Sequence, residues 1–443
     1  MSFPAYATYK DSEVPWLGEV PSHWNISRIK DLFEIRKRIA GELGHDVLSI
    51  TQSGLRVKDI ESNEGQQAMD YSKYQLVYPG DFAMNHMDLL TGWIDIASQS
   101  GVTSPDYRVF ATRDLGSIDA RFFLRVLQMA YTARQFYPFG QGSSQLGRWR
   151  LPTDAFNAFP LPVPPATEQA AIATFLDQET AKVDALVTEQ ERLIALLKEK
   201  LQAVISHAVA KGLNTDAATK DSGIEWLGEI PANWEIVNLA RIAPLIQTGP
   251  FGRQLHAEDY VEDQFPVINP SNLRNGFIVA NPKNTITEKM ALSLGQHRLS
   301  AGEIVLARRG EMGRCAVVSE DQAGWICGTG CLRISLNGAA LARFIATFLG
   351  TPFVVEKLKL NSVGATMDNL NASIVSKILV PLPPVEEQQQ IVNSIGAIAS
   401  HFDALIGSAR SAITLLQERR AALISAAVTG KIDVRTAGGR RSH

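Results

Sequence analysis

The side chains that could do covalent chemistry are few, and their spacing assembles no catalytic set. His86 and His256 have no nucleophile-and-acid context around them. Pro105-Asp106 has no downstream Glu-x-Lys partner of the kind a nuclease uses. A phosphate-binding G-x-x-x-x-G-K-[ST] loop is absent, which excludes a P-loop motor. An amino-methyltransferase would need a glycine-rich cofactor loop and an Asn/Asp-Pro-Pro-aromatic motif, and neither Asn269-Pro270 nor the Pro-Pro pairs at 164–165 and 383–384 supply it. The only cysteines are Cys315, Cys327 and Cys331. Zinc wants four ligands, and these three have no neighbouring histidine, so they read as small buried apolar groups in a reducing compartment. Metal: none and catalytic residues: none are therefore the expectations.

Composition sets wide bounds. With 443 residues the chain is too long for one ordinary core, so two to four structural units are expected. Hydrophobic residues make up 45% and charged residues 20%, as in a water-soluble globular protein. Forty-three basic residues against 46 acidic give a net charge of −3, which neither announces nor excludes a polyanion partner, because such binding depends on local patches. The start, MSFPAYATYKD, lacks the basic and apolar regions of a signal peptide. No apolar run reaches the ~18 residues of a transmembrane helix. No membrane association and a cytoplasmic location are expected.

The organising feature is a stretch written twice. Residues 10–24 read KDSEVPWLGEVPSHW, and residues 220–234 read KDSGIEWLGEIPANW. A second duplicated element follows each copy: PVPPATEQ at 162–169 and PLPPVEEQ at 381–388, each opening a long helical pattern. Because the tryptophans recur in both halves, Trp16, Trp24, Trp226 and Trp234 read as core anchors.

From about Thr167 to Lys211 glycine and proline are absent. Apolar residues fall at Val183, Leu186, Leu193, Leu197 and Val204, with Gln190 and Lys200 as polar breaks; Ile194, Leu201 and Ile205 widen the stripe. A second series runs through Ile391, Ile395, Ile398, Phe402, Leu405, Ala409, Ala412, Leu416 and Leu423, with Arg419 as its break. A helix of this length, roughly 65 Å at ~1.5 Å per residue, needs a partner for its stripe. The second helix is that partner. The short linker at 212–219 reaches at most about 28 Å, so the helices must run antiparallel. Val183, Leu186, Leu193, Leu197, Phe402, Leu405 and Leu416 are expected inside this intramolecular coiled coil.

The expected plan is α+β: a globular domain at 1–165, a helix at 166–212, a linker at 213–222, a second globular domain at 223–384, a second helix at 385–431 and a loose tail at 432–443. Each globular segment mixes strands and helices. IRKRIAGELGHDVLSIT suggests a short helix then a strand, residues 118–137 carry a helical stripe, and 339–358 read as one helix. PGDFAM at 79–84 and AGEIVL at 301–306 are matching turn-to-strand passages.

With both copies of the duplicated frame and both proline-led helix openings, the chain resembles the specificity (S) subunits of type I restriction–modification systems over nearly its whole length. ISHAVAKG at 205–212 and ISAAVTGKID at 424–433 are similar to the way that family ends its helices. The resemblance implies a pseudo-two-fold arrangement of two target recognition domains. It implies a non-catalytic subunit that binds a bipartite double-stranded DNA target, one half-site per domain, with the helices setting the spacer. It implies two methyltransferase (M) subunits and restriction/translocase (R) subunits as partners. S-adenosylmethionine, ATP and Mg would be carried by those partners, with no cofactor in this chain. A specificity subunit for a fused type II-like methylase-nuclease and a non-DNA coiled-coil scaffold are the alternatives.

Arginine and lysine reach phosphate and guanine, asparagine and glutamine reach adenine, and polar loops hold the backbone. On that chemistry the DNA-binding candidates in the first domain are Arg36, Lys37, Arg38, Arg56, Lys58, Ser143, Ser144, Gln145 and Arg148. In the second domain they are Arg253, Gln254, Asn272, Arg274, Arg308, Arg309 and Arg314. The alternative for each is an ordinary solvated surface residue. Glu168, Gln169, Glu387 and Gln388 recur at both helix starts, as N-terminal caps or as contacts to a partner subunit.

Overall fold

A computed structural model describes residues 3–52, 54–59, 70–114, 116–143, 148–251, 254–362 and 370–435. The chain is α+β and divides into two compact units, Met1–Gln190 with Arg410–His443, and Glu191–Ala409. Two long helices, Ala166–Lys211 and Val385–Val428, each begin in one unit and end in the other.

Each unit is built on a four-stranded antiparallel sheet with the same strand order. In unit 1 the order is Phe33–Ile35, Arg108–Thr112, Phe82–Met84, Ile94–Ile96. In unit 2 it is Leu245–Thr248, Cys331–Ser335, Ile304–Ala307, Cys315–Val317. The matching passages read from the sequence supply the same strand in both sheets. Gly80 (φ 90°) and Gly302 (φ 81°) make its entry turn, a backbone that glycine adopts without steric cost. An acid follows each glycine, buried and neutralised by a different arginine: Arg38 reaches Asp81 at 2.6 Å, and Arg333 reaches Glu303 at 2.7 Å. Unit 1 fills its core with Phe33, Phe82, Phe110, Phe122 and Phe123, edge-on to one another except for the stacked pair Phe82 and Phe110. Unit 2 uses mostly aliphatic side chains around Phe344 and Phe348.

The duplicated frame folds alike in both units. Tyr9–Asp11 pairs with Glu19–Pro21, and Thr219–Asp221 pairs with Glu229–Pro231, in the same register. Trp24 and Trp234 are fully buried. Trp16 and Trp226 do less than an anchor would: each lies flat on a phenylalanine, Phe159 at 5.6 Å and Phe353 at 5.0 Å, and Trp226 remains 36% exposed. Each frame sits where one long helix starts and the other ends. In unit 1 Trp24 bonds to Glu168, and its ring edge lies against Gly430. In unit 2 Trp234 bonds to Glu387 and lies against Gly212. Both glycines are left-handed (φ 72° and 78°), the usual way to end a helix. At Gly430 a Cβ would also collide with Pro21.

Within unit 1 the two helical segments run in opposite directions. Ile172 and Leu176 share a core with Ile424, Ala427 and Val428, while further along Asp184 accepts from Arg420 Nε at 2.9 Å. The seam differs from the expected one by a systematic step. Val183, Leu197, Val204, Phe402, Ala409, Leu416 and Leu423 are covered, as the spacing predicts. Leu186, Leu193 and Leu405 are instead 51%, 43% and 40% exposed. Their places are taken by the next residues, Val187, Ile194 and Ile406. A heptad seam can alternate 3-then-4 or 4-then-3, and both readings share every second position. The helices use 4-then-3, which moves Lys200 and Arg419 to solvent.

Three further expectations change. Residues 36–47 form no helix; the short helix precedes them at Ile29–Leu32, and the strand is Leu48–Thr51. The helix expected at 339–358 is two, Ala342–Leu349 and Pro352–Ser362, because Pro352 disfavours a helical residue before it. The tail is docked as far as Arg435: Asp433 N donates to Pro4 O at 2.7 Å, Val434 is buried, and Arg435 bonds Asp433 and lies 5.1 Å over the Tyr6 ring.

Candidate nucleic-acid interface

The residues singled out for DNA contact fall into three groups. The first group is exposed or half-exposed. Lys37 follows the edge strand of the unit 1 sheet, and Arg56 lies on strand Gly54–Val57, with half-buried Lys58 just beyond. In unit 2, Gln254 is exposed and accepts from Phe251 N at 3.0 Å. Arg274 stands at a hairpin tip formed by Asn275 and Gly276, both left-handed, next to Phe277, which is 62% exposed. Arg36, Arg309 and Arg314 are half-exposed; Arg36 pairs with Glu34 at 2.8 Å and Arg314 pairs with Glu311.

The second group is used by the fold and is not free to read DNA. Arg38 is committed to Asp81 and stacks on Tyr78 at 5.0 Å. Asn272 is buried; it donates to Val279 O and accepts from Asn269 N and from Asn284 Nδ2. Arg308 is only 8% exposed and donates through Nε to Leu370 O at 2.9 Å. Each corrects the sequence reading for one reason: a polar group at a strand end or turn is consumed by neighbouring backbone, or in the case of Arg38 by a buried carboxylate.

The third group is not described by side chain. Ser144, Gln145 and Arg253 lie outside the described residues. Ser143 and Arg148 are located by backbone alone, opposite each other in the hairpin Gln141–Ser143/Arg148–Arg150.

The four residues at the helix starts are not a partner surface either. Glu168 is 4% exposed, with one oxygen accepting from Tyr6 and Trp24 at 2.5 and 3.0 Å and the other 2.8 Å from His23 Nε2. Gln169 is 1% exposed; it donates to Pro164 O and Ser117 O and accepts from Asp119 N. Gln388 repeats this, donating to Pro383 O and Ala339 O and accepting from Leu341 N. Half-buried Glu387 binds Trp234 and Asn233, both at 3.0 Å. These side chains tie the helix start to its own unit.

Sequence reasoning missed a cationic cluster beside the unit 1 hairpin. His86, two residues past one strand, lies near Arg108 on the neighbouring strand and near exposed Arg150. Burial, then the charges of Arg108 and Arg150, push the His86 imidazole down to about 4. Burial likewise pulls Arg108 down to about 10. The hint was Arg108 inside an otherwise apolar strand, RVFAT. Among the described residues no group of three or more His, Cys, Asp or Glu could hold a metal. All three cysteines are buried, and burial pushes the Cys315 and Cys327 thiols up to about 12. No described helix is long and apolar enough to cross a membrane.

One frame and one sheet order, written twice, define a duplicated α+β architecture, and comparison with known proteins finds similar chains. Residues 231–410 match the type I restriction modification DNA specificity domain. The chain is 21% identical, over 98% of its length and 99% of the relative's, to a putative type I restriction enzyme MjaX specificity subunit of Methanocaldococcus jannaschii. It is 25% identical to the EcoBI specificity subunit of Escherichia coli over 61% of this chain, a match that spans 58% of that subunit. Among solved structures, a chain from a study of type I R-M complex assembly superposes at TM-score 0.66, with 13% identity, over 93% of this chain and 99% of that one. The HsdS subunit of Thermoanaerobacter tengcongensis superposes at 0.51, with 14% identity, over 95% and 100%. Residues 231–410 therefore match a DNA specificity domain, and the whole chain is similar in sequence to type I specificity subunits and in fold to solved chains of such systems.

Proposed function

We propose that this chain reads a bipartite double-stranded DNA target, one half-site per unit, and performs no chemistry itself. The observation that carries the reading is the contrast between what repeats and what does not. The frame, the sheet order and the Glu–Trp and Gln–backbone bonds recur in both units. The exposed candidates do not: Lys37 and Arg56 in one unit face no counterparts at Gln254 and Arg274 in the other. Two different half-sites require different surfaces, whereas two copies of one partner require equal frames.

On this reading two methyltransferase subunits dock on the repeated frames and helices, and restriction/translocase subunits join that core. S-adenosylmethionine, ATP and Mg belong to those partners. The long helices, continuous from one unit into the other, set the non-specific spacer. The test is co-expression with the cognate methyltransferase, followed by single-molecule sequencing of the host DNA. Methylation at one bipartite motif is expected. Replacing residues 25–160 by the matching segment of a relative should change one half only, and lengthening both helices by whole turns should change the spacer only. Methylation at no bipartite motif would overturn the reading.

A further inference from the structure

The strand shared by both sheets leads out to His86 in unit 1 and to Arg308 in unit 2. The two positions are equivalent by backbone. His86 O accepts from Leu151 N at 2.9 Å, and Arg308 O accepts from Leu370 N at 3.0 Å. Each leucine then leads into a short helix, Thr153–Ala158 or Ala372–Ser376. The carbonyl of each leucine accepts from a buried guanidinium, but the arginine comes from a different strand. In unit 1 it is Arg108 Nη2, at 3.1 Å from Leu151 O, from the neighbouring strand. In unit 2 it is Arg308 Nε, at 2.9 Å from Leu370 O, from the strand end itself.

Arg108 is 4% exposed and Arg308 is 8% exposed. Burying a guanidinium is costly, and an aliphatic side chain would fill either place more cheaply. Unit 2 does put Leu332 where Arg108 would stand: Arg108 lies opposite Met84, and Leu332 lies opposite the equivalent Leu306. So each unit has one arginine for the task, at one of two places, and an uncharged or apolar residue at the other. In unit 1 Arg108 also donates to Thr153 Oγ1 at 3.3 Å and lies 4.4 Å over the Phe156 ring. The residues it holds close the hairpin Gln141–Ser143/Arg148–Arg150, which a second bond, Leu89 N to Trp149 O at 2.9 Å, ties to the same loop.

We propose that Arg108 and Arg308 are alternative positioning residues for one task, fixing the leucine that leads into the short helix, and that in unit 1 this presents Arg150 to DNA phosphate. The DNA half of the proposal rests on the function proposed above; the anchoring half does not.

The experiment compares Arg108→Leu with the double variant His86→Arg/Arg108→Leu, which installs the unit 2 arrangement in unit 1. Arg108→Lys, which keeps the charge and loses the guanidinium fork, is the milder single variant. In the purified full-length chain, hydrogen exchange at the Leu151 amide should quicken at least about tenfold in Arg108→Leu and return to within about threefold of the parent in the double variant. In the methyltransferase complex, methylation of the parental motif should fall about tenfold in Arg108→Leu through loss of discrimination in one half-site, and recover in the double variant. Unchanged exchange in both single variants, or a double variant no better than Arg108→Leu, overturns the anchor. Restored exchange without restored methylation overturns the link to DNA. A parental chain that supports no bipartite methylation defeats the DNA reading alone, and the exchange comparison still decides the anchor.

Discussion

Trp24 donates its indole N–H to Glu168 at 3.0 Å, joining the duplicated frame to the first turn of a helix 144 residues away. The same bond, at the same length, joins Trp234 to Glu387 in the other unit. A buried carboxylate is tolerated only when its oxygens are satisfied, and Glu168 has three donors to do so. The conspicuous tryptophan of the frame is therefore half of a joint, and its partner is the Glu of the proline-led helix opening.

Glu168→Ala should destabilise unit 1 by about 2–3 kcal/mol, since it strands the buried Tyr6 hydroxyl and Trp24 N–H. Glu387→Ala should cost less, about 1–2 kcal/mol, because Glu387 is half-buried with two partners. Hydrogen exchange at the Trp24 and Trp234 amides across a urea series, each amide bonded within its own frame, reads the two units; equal losses would count against the joint.

The two frame copies differ at one backbone position. Glu13 adopts a left-handed conformation (φ 58°) where the second copy has Gly223 (φ 70°). Both amides bond the preceding aspartate, at 2.8 and 3.0 Å. Gly223→Ala should therefore cost about 1 kcal/mol, whereas Glu13→Ala, already carrying a Cβ there, should stay within about 0.5 kcal/mol. Thermal unfolding of the two variants makes the comparison.

The repeats made the architecture legible, because duplicated residues at constant order can be read without coordinates. The reading surface was legible only as chemistry. Arg308 and Asn272 have the right functional groups for DNA, but whether backbone consumes a polar group depends on which strand ends beside which turn. Glu168 and Gln169 read as helix caps or partner contacts because they open a helix; Glu168 is buried by the frame folding over it, and Gln169 by the Ser117–Asp119 loop. The tail was misread for the same reason: Val434 and Arg435 gain their partners from the chain's other terminus.

His86 should give unit 1 an acid sensitivity of its own. Its folded value of about 4 lies below the ordinary 6.5. Above pH 6.5 both folded and unfolded chains leave the imidazole neutral, and stability is insensitive to it. Between pH 6.5 and about 4 the unfolded chain takes up a proton that the folded chain refuses, so stability falls as pH falls. Allowing for partial exposure, the loss is about 2 kcal/mol. In His86→Gln the difference from the parent should shrink across that window in pH-dependent urea unfolding, and an unchanged slope would refute the assignment.

Adjacent residues on the long helices should behave oppositely. Ile406 is 7% exposed and Leu405 is 40% exposed; Ile194 is covered and Leu193 is 43% exposed. Were the seam 3-then-4, the leucines would carry the packing, and replacing them with a charge would be ruinous. In the 4-then-3 seam the isoleucines carry it. Ile406→Asp should cost about 3 kcal/mol or more, from lost burial and an unpaired buried charge, and Ile194→Asp, at a half-buried site, about 1–2 kcal/mol. Leu405→Glu and Leu193→Glu should stay within about 0.5 kcal/mol in the isolated chain. An exposed leucine row on a helix is also an interaction surface in search of a cover. If the methyltransferase supplies that cover, Leu405→Glu and Leu193→Glu will leave the free chain's melting temperature unchanged and reduce co-purification with the methyltransferase by tenfold or more. A drop in melting temperature for the leucine variants, with none for the isoleucine variants, would restore the other register.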